Sequence, residues 1–320
     1  MKKRLMAAVL STAMAATMLL TGSISVQAAD AAAANDPAVE LIFTSVSVSG
    51  DSHTEAMYEF ADKVEELSGG SVTCKCYDNG SLFSSENEFD ALLNGDADLA
   101  YISFPTIATQ IPSYSMFASG YLFSSYEHMT SVLNGDIGLN KIRPQIEETL
   151  NIKPLSSFYL GSRVINTREK EINSYDDMNG LLLRMPNSEA WLFLGEALGA
   201  NPTPLSFSEL YTALQTGAVD AQDNPLPSIE SAKFYEVTKY IAITNHVVDS
   251  IMPCINGDTW NSMTEAQQEA VTEAMEYARD VNDTARLDRE AELIKFFEEQ
   301  GLTVTSVSYT HLRAHETSAH

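Results

Sequence analysis

Cationic residues are scarce in this chain: 19 lysines and arginines stand against 44 aspartates and glutamates, for a formal net charge of −25. Nucleic acid and anionic lipid both demand basic patches, so neither is an expected partner. Cysteine is scarcer still, with three in 320 residues, which is no disulfide framework. Cys74 and Cys76 alternate with Thr73, Lys75 and Tyr77, so they share a strand face with Val72. Small core residues are the ordinary reading there, and a redox or metal pair is the alternative. Cys254, in the apolar run from Ser250 to Ile255, reads as core too. There is no phosphate-cradling glycine loop, no paired-histidine zinc helix and no Gly-x-Ser-x-Gly elbow. His53, His128 and His246 are scattered without metal-ligand spacing. No Ser/His/Asp grouping stands out, although a triad assembled in space would escape such a reading. The expectation is a protein without cofactor, metal or catalysis.

Long apolar runs are missing everywhere except the start. Lys2, Lys3 and Arg4 precede the uncharged stretch Leu5 to Leu20, and Val26-Gln27-Ala28 then offers small residues for cleavage. That is the pattern of a secretory signal peptide over 1–29, too short and wrongly flanked for a permanent membrane helix. Its removal takes the net charge to about −28. Ser23 stands where a lipoprotein box would carry cysteine, so a free extracytoplasmic protein is expected. At the other end, 307–320 is polar, holds three of the six histidines and shows no helical period. It reads as a non-native tail resembling translated adapter sequence.

Between these ends, strands alternate with helices. Leu41 to Val48 is β-rich; Met57, Phe60, Ala61, Val64 and Leu67 then recur at helical spacing until Gly69-Gly70. Val72 to Tyr77 and Asp98 to Ser103 return to strand around a short helix carrying Phe89, Leu92 and Leu93. A second stretch starts near Gly161. There Ser174 to Asp177 is a helix start, Leu181 to Met185 and Ala218 to Ala221 are strands, and Glu189 to Leu198 and Ser208 to Thr216 are helices. This rhythm predicts an α/β fold with helices over a largely parallel sheet, in two lobes whose strands cross between them. From Asp258 to Gln300 there is neither glycine nor proline, and Thr264-Glu265-Ala266-Gln267 is a capping box. One helix over that span would reach on the order of 55 Å. It must bridge both lobes or break; its apolar positions keep no heptad, so bridging is preferred to a coiled coil.

Arg184 lies in Leu181-Leu182-Leu183-Arg184-Met185-Pro186, a run otherwise suited to a buried strand. A buried guanidinium needs an anionic or multi-acceptor partner. Either it pairs internally with one of the many carboxylates, or it is a fork for a ligand carboxylate at a strand end. Composition alone leaves both open.

Three groups of residues carry a family resemblance. They are Gly161-Ser162-Arg163; Met178-Asn179-Gly180 through Pro186; and Pro202-Thr203-Pro204-Leu205-Ser206-Phe207 through Asp223-Asn224-Pro225. Lys233 to Val237 and Thr244-Asn245-His246 extend it. Together they resemble solute-binding proteins of tripartite ATP-independent periplasmic (TRAP) transporters, in the branch of sialic-acid and C4-dicarboxylate binders. The resemblance implies a type II-like periplasmic-binding-protein clamshell with a long helix spanning both lobes. Residues 38–160 with about 250–285 would form one lobe, and 161–249 with about 286–306 the other. It also implies a monomer that delivers a small organic acid to a TRAP membrane permease. By resemblance Arg184 clamps the ligand carboxylate, Asn224 assists, Arg163 lies close to the same group, and Phe207 packs in the cleft. On their own these three companions read as a turn residue, a solvated charge and ordinary core. Ser103 stands where sialic-acid binders carry a glutamate, which speaks against that ligand. Tyr101, Ser103 and Glu86 are the first-lobe candidates for reading the rest of the ligand. A binding protein of an ATP-driven importer, a sensory receptor's binding protein or an enzyme acting on organic acids are the rival readings.

Overall fold

The computed structural model describes residues 35–307; the expected signal peptide, and the expected tail after Val307, lie outside the described residues. Ten strands form the framework: β1 (Val39–Thr44), β2 (Val72–Tyr77), β3 (Leu99–Ile102), β4 (Ile152–Pro154), β5 (Phe158–Thr167), β6 (Leu182–Met185), β7 (Asn201–Pro204), β8 (Ala221–Pro225), β9 (Tyr240–Asn256) and β10 (Thr303–Ser306). They run in the order β2-β1-β3-β9-β5-β8-β6-β7, with β4 and β10 also on β9. The 17 residues of β9 would extend roughly 55 Å. One half pairs with β3 and β4, and the other with β10 and β5. β9 and β5 are therefore the crossing strands that join the two lobes.

Pairing is mixed rather than largely parallel. The outer pairs β1–β2, β1–β3, β6–β7 and β6–β8 are parallel, as helix crossovers require, whereas β9 meets β3, β4 and β5 in antiparallel sense. A strand passing from one lobe to the other belongs to no single crossover unit, so nothing forces it parallel. Strand limits move as well. β1 ends at Thr44, and β8 begins at Ala221, where the expected strand stopped. Residues 217–219 go to the helix end instead: Gly217 has φ +79°, and the Ala218 amide donates to the Ala213 carbonyl.

Four apolar clusters fill the lobes, two in each, and the helix Glu265–Glu299 enters both sides. Its Val271, Ala274, Met275 and Ala278 pack with Phe43, Phe60 and Val64. About four turns beyond, Leu293 and Phe297 pack with Leu214, Ile229 and Phe234. The capping box forms: Thr264 Oγ1 accepts from the Gln267 amide, and the Gln267 side chain accepts from the Thr264 amide. Val307 packs in a second-lobe cluster with Ile165 and Val247, so it belongs to the fold rather than to the tail. Cys254 is buried, and Cys74 and Cys76 pack against the first-lobe core with free thiols.

Gly161 marks a close crossing of β5 over β8 and the long helix. It holds φ +122°, and a Cβ there would lie 2.5 Å from Pro225 Cβ and 2.7 Å from Glu290 Oε1. Gly161→Ala is expected to cost about 2–3 kcal/mol, from strain and from forcing β5 away from β8. A melting curve of the variant checks this; an unchanged midpoint would show that the crossing yields freely.

Candidate ligand-binding cleft

A cavity lies between the lobes, with walls from both and from the long helix. Arg184 is delivered by β6, whose Leu183 and Met185 are fully buried. Pro186 follows at once and ends the strand, so the arginine sits at the strand's carboxyl end, where α/β clefts take ligands. Its side chain is 2% exposed. Nε donates to the Leu205 carbonyl at 2.8 Å, and the guanidinium lies 5.9 Å from the Phe207 ring centre. Among the described residues no carboxylate pairs with it. Burial pulls it down to about 10, against the attraction of Asp223. It is still a cation at neutral pH.

Arg163 is placed very differently. Its Nε and Nη2 clasp both oxygens of Asp223 at 2.7 and 2.9 Å, and Nη1 reaches Asp249 at 2.9 Å. Trp191 lies under its plane at 4.5 Å. Burial would lower its pKa, but the two carboxylates more than offset that and hold it above the ordinary arginine value. Asp223 stays well below the usual carboxylate range, because Arg163 and a hydrogen bond from His246 outweigh its burial. Asn224 donates to the Gln222 side chain and takes a long contact of 3.4 Å from Arg163. It lies in β8 and is buried, so it is a strand residue and not a turn residue.

On the first lobe, Ser103 caps the short helix Phe104–Ile107 and shares a hydrogen bond with Thr106. Both line the cavity. Tyr101 lines it too, but its hydroxyl donates to the His53 carbonyl and its ring packs on Phe43 and Phe158. It is wall, with its polar end already engaged. Glu86 is exposed and is not part of the lining; only its charge reaches Arg184. Two residues along, Glu88 lines the cavity instead, as do Asp51 and Asp249. Sequence reasoning missed Glu88, Trp191, Asp249, Asp51 and Arg286. Arg286 is buried on the long helix, which sequence reasoning read only for its length and cap and not for which residues face inward.

Arg286 ties the lobes together. Nη2 donates to Asp51 at 2.6 Å and to His53 Nδ1 at 2.7 Å, while Nη1 reaches Ser228 Oγ at 3.2 Å. Ser231, on the second-lobe helix Leu226–Ser231, donates to the other Asp51 oxygen at 2.9 Å. Burial and then Arg286 hold His53 down to about 4. A histidine kept neutral in the fold adds stability above its unfolded value of about 6.5, and that stability is lost as pH falls toward 4. From this group the loss is about 3 kcal/mol. The melting midpoint should therefore fall between pH 7 and pH 4.5, and His53→Gln should flatten that slope. A slope unchanged by the substitution would assign it to other groups.

Residues 43–319 match the family model for bacterial extracellular solute-binding proteins, family 7. The chain belongs to that family. It is 34% identical over 245 residues to the sialic acid-binding periplasmic protein SiaP of Vibrio cholerae, spanning 77% of this chain and 76% of that one. It superposes with a TM-score of 0.83 on a TRAP periplasmic solute-binding protein of Roseobacter denitrificans crystallised with 3-deoxy-D-manno-oct-2-ulosonic acid, at 38% identity and covering 88% and 92% of the two chains. A second protein of that organism, crystallised with L-galactonate, gives 0.83 at 30% identity, covering 88% and 93%. The TRAP resemblance and the two-lobed periplasmic-binding-protein fold both hold. Among the described residues of this family 7 chain, no helix is long and apolar enough to cross a membrane.

Proposed function

We propose that the protein captures a small organic acid outside the cytoplasm and delivers it, as a monomer and without chemical change, to a TRAP-type permease. The observation that carries this is Arg184: a buried cation, backed by an aromatic ring, in an interlobe cavity, with no paired carboxylate among the described residues. Burying an unpaired charge costs several kcal/mol, and a ligand carboxylate in bidentate contact would relieve it. Phe207 packs beneath the fork. Asn224 and Arg163 set the floor around it, with Arg163 acting through its hold on Asp223 and Asp249 rather than as a second free clamp. Ser103 and Thr106 meet the ligand from the first lobe. Tyr101 shapes that wall, and Glu86 adds distant charge. A sialic acid-binding relative, and related proteins crystallised with 3-deoxy-D-manno-oct-2-ulosonic acid and L-galactonate, support an acid as ligand.

In this reading 38–160 with about 250–285 form one lobe, and 161–249 with about 286–306 the other. The helix Glu265–Glu299 contributes to the cores of both, which supports that division. Closure would exclude water and strengthen the Arg184 pair. A thermal-shift screen of mono- and dicarboxylates, sugar acids and keto acids tests the proposal, since a ligand bound only by the folded protein raises the melting midpoint. At least one acid should raise it by several degrees in a saturable way. A screen in which neutral sugars or amines shift the midpoint and no acid does would sink the reading.

A further inference from the structure

We infer that the cleft takes a polyhydroxylated monocarboxylate, of the sugar-acid class, and turns away dicarboxylates, with Glu88 on the first-lobe wall reading a ligand hydroxyl. The inference rests on the carboxylate-capture reading above and adds to it the number of charges that the ligand carries.

Three guanidinium groups line the cavity, those of Arg163, Arg184 and Arg286. Two are already matched. Arg163 is held by Asp223 and Asp249, and Arg286 by Asp51 with Ser228 and His53 around it. Among the described residues only Arg184 of these three lacks an anion, so the cleft has one place for a ligand carboxylate. A second carboxylate would find no free cation among the described lining residues. It would instead face a wall that holds Asp51, Asp249 and Glu88. In a closed cleft of low polarity, an unpaired anion costs several kcal/mol.

Glu88 supplies the positive half of the discrimination. It is 5% exposed, and among the described residues no cation pairs with it and its Oε1 has no hydrogen-bond partner. Asp51 and Asp249 differ, since both oxygens of each accept hydrogen bonds within the protein. A buried carboxyl without a partner is costly, and a native structure keeps one where something else completes it. Burial raises the Glu88 carboxyl well above the usual range. In its neutral form it offers an O–H to donate and a carbonyl to accept, which is what a ligand hydroxyl can answer on both sides. A ligand carboxylate can answer only the donor. Ser103, Thr106, Asn187 and Ser188, also in the lining, provide further neutral polar groups suited to hydroxyls.

Calorimetry on the full chain decides this, with D-galactonate, D-glucuronate and 3-deoxy-D-manno-oct-2-ulosonate as monoacids, and D-galactarate and succinate as diacids. The best monoacid should bind at least about 100-fold more tightly than either diacid. A diacid that binds as tightly as the best monoacid would overturn the inference and leave acid capture standing. No binding by any of the five would overturn the inference, and the wider thermal-shift screen would then decide whether acid capture stands. For Glu88, the readout is a ratio. Glu88→Leu should weaken the best hydroxylated monoacid by about tenfold or more while hexanoate, which has no hydroxyl to offer, is unaffected. Glu88→Gln, which keeps a donor and an acceptor, should retain most of the affinity. Equal losses for both ligands in Glu88→Leu, or no loss, would remove Glu88 from the recognition of hydroxyls.

Discussion

Arg184→Met should remove acid binding from the protein and leave the ligand-free fold as stable as before, or more so. The two effects have opposite signs because the arginine has no anion among the described residues: Nε holds the Leu205 carbonyl, and Phe207 lies under the plane. Taking away one partner of a buried charge pair commonly costs about 2–5 kcal/mol, or roughly 30- to 5,000-fold in affinity. In the free protein the same substitution removes an uncompensated buried cation and replaces it with a side chain of similar length, which is often neutral or stabilising. Arg184→Lys separates charge from shape. It keeps the cation but loses the planar fork and the contact with Phe207, so an affinity between those of wild type and Arg184→Met is expected. Calorimetry with the best acid and melting curves without it read the two halves. If Arg184→Lys binds as tightly as wild type, the fork is not the clamp. If Arg184→Met melts several degrees lower, the arginine has an internal structural role instead.

How far this was readable in the chain differs from residue to residue. The bridging helix was legible because its signals are local: no glycine or proline from Asp258 to Gln300, and a capping box at Thr264. Arg184 stood out because a charge inside Leu181 to Met185 breaks a buried strand pattern. β9 was picked out only in the apolar run Ser250 to Ile255, and there as core rather than as a strand. Its first half carries Thr244, Asn245 and His246, and the pairing with β5 shifts register there, with Asn245 at φ +45°. Period-2 reasoning fails across such a bulge. β8 was misplaced for another reason. Gln222, Asp223 and Asn224 look like a turn, yet each is buried and satisfied by a partner far away in sequence, such as Asn166 for Gln222 and Arg163 for Asp223. Pairings across some sixty residues leave no local trace. Glu88 was hidden likewise, since an acidic residue in the first turn of a helix is ordinary, and only its burial makes it unusual.

Arg163 provides the opposite case to Arg184, on the same cavity wall. Arg163→Met should lower the stability of the free protein by about 3–5 kcal/mol, because it leaves Asp223 and Asp249 as buried carboxylates without their cation. In a protein of this size that corresponds to a fall in melting midpoint on the order of 10 °C. Part of the loss should return when the stranded charge is removed as well. The double variant Arg163→Met, Asp223→Asn should be more stable than Arg163→Met alone, since an amide in place of Asp223 needs no counter-ion. His246, which lies 3.3 Å from Asp223, would then lose its acidic neighbour, so recovery should be incomplete. The pH response supplies an independent sign. Asp223 is held below its unfolded value, so its contribution is present above about pH 4 and lost as pH falls further. Wild type should lose stability on acidification below that point, and Arg163→Met should lose less, having already given up the pairing that acid would break. If instead Arg163→Met is as stable as wild type but binds acid far more weakly, Arg163 is a direct ligand contact, and the division between one structural and one ligand-facing arginine is wrong.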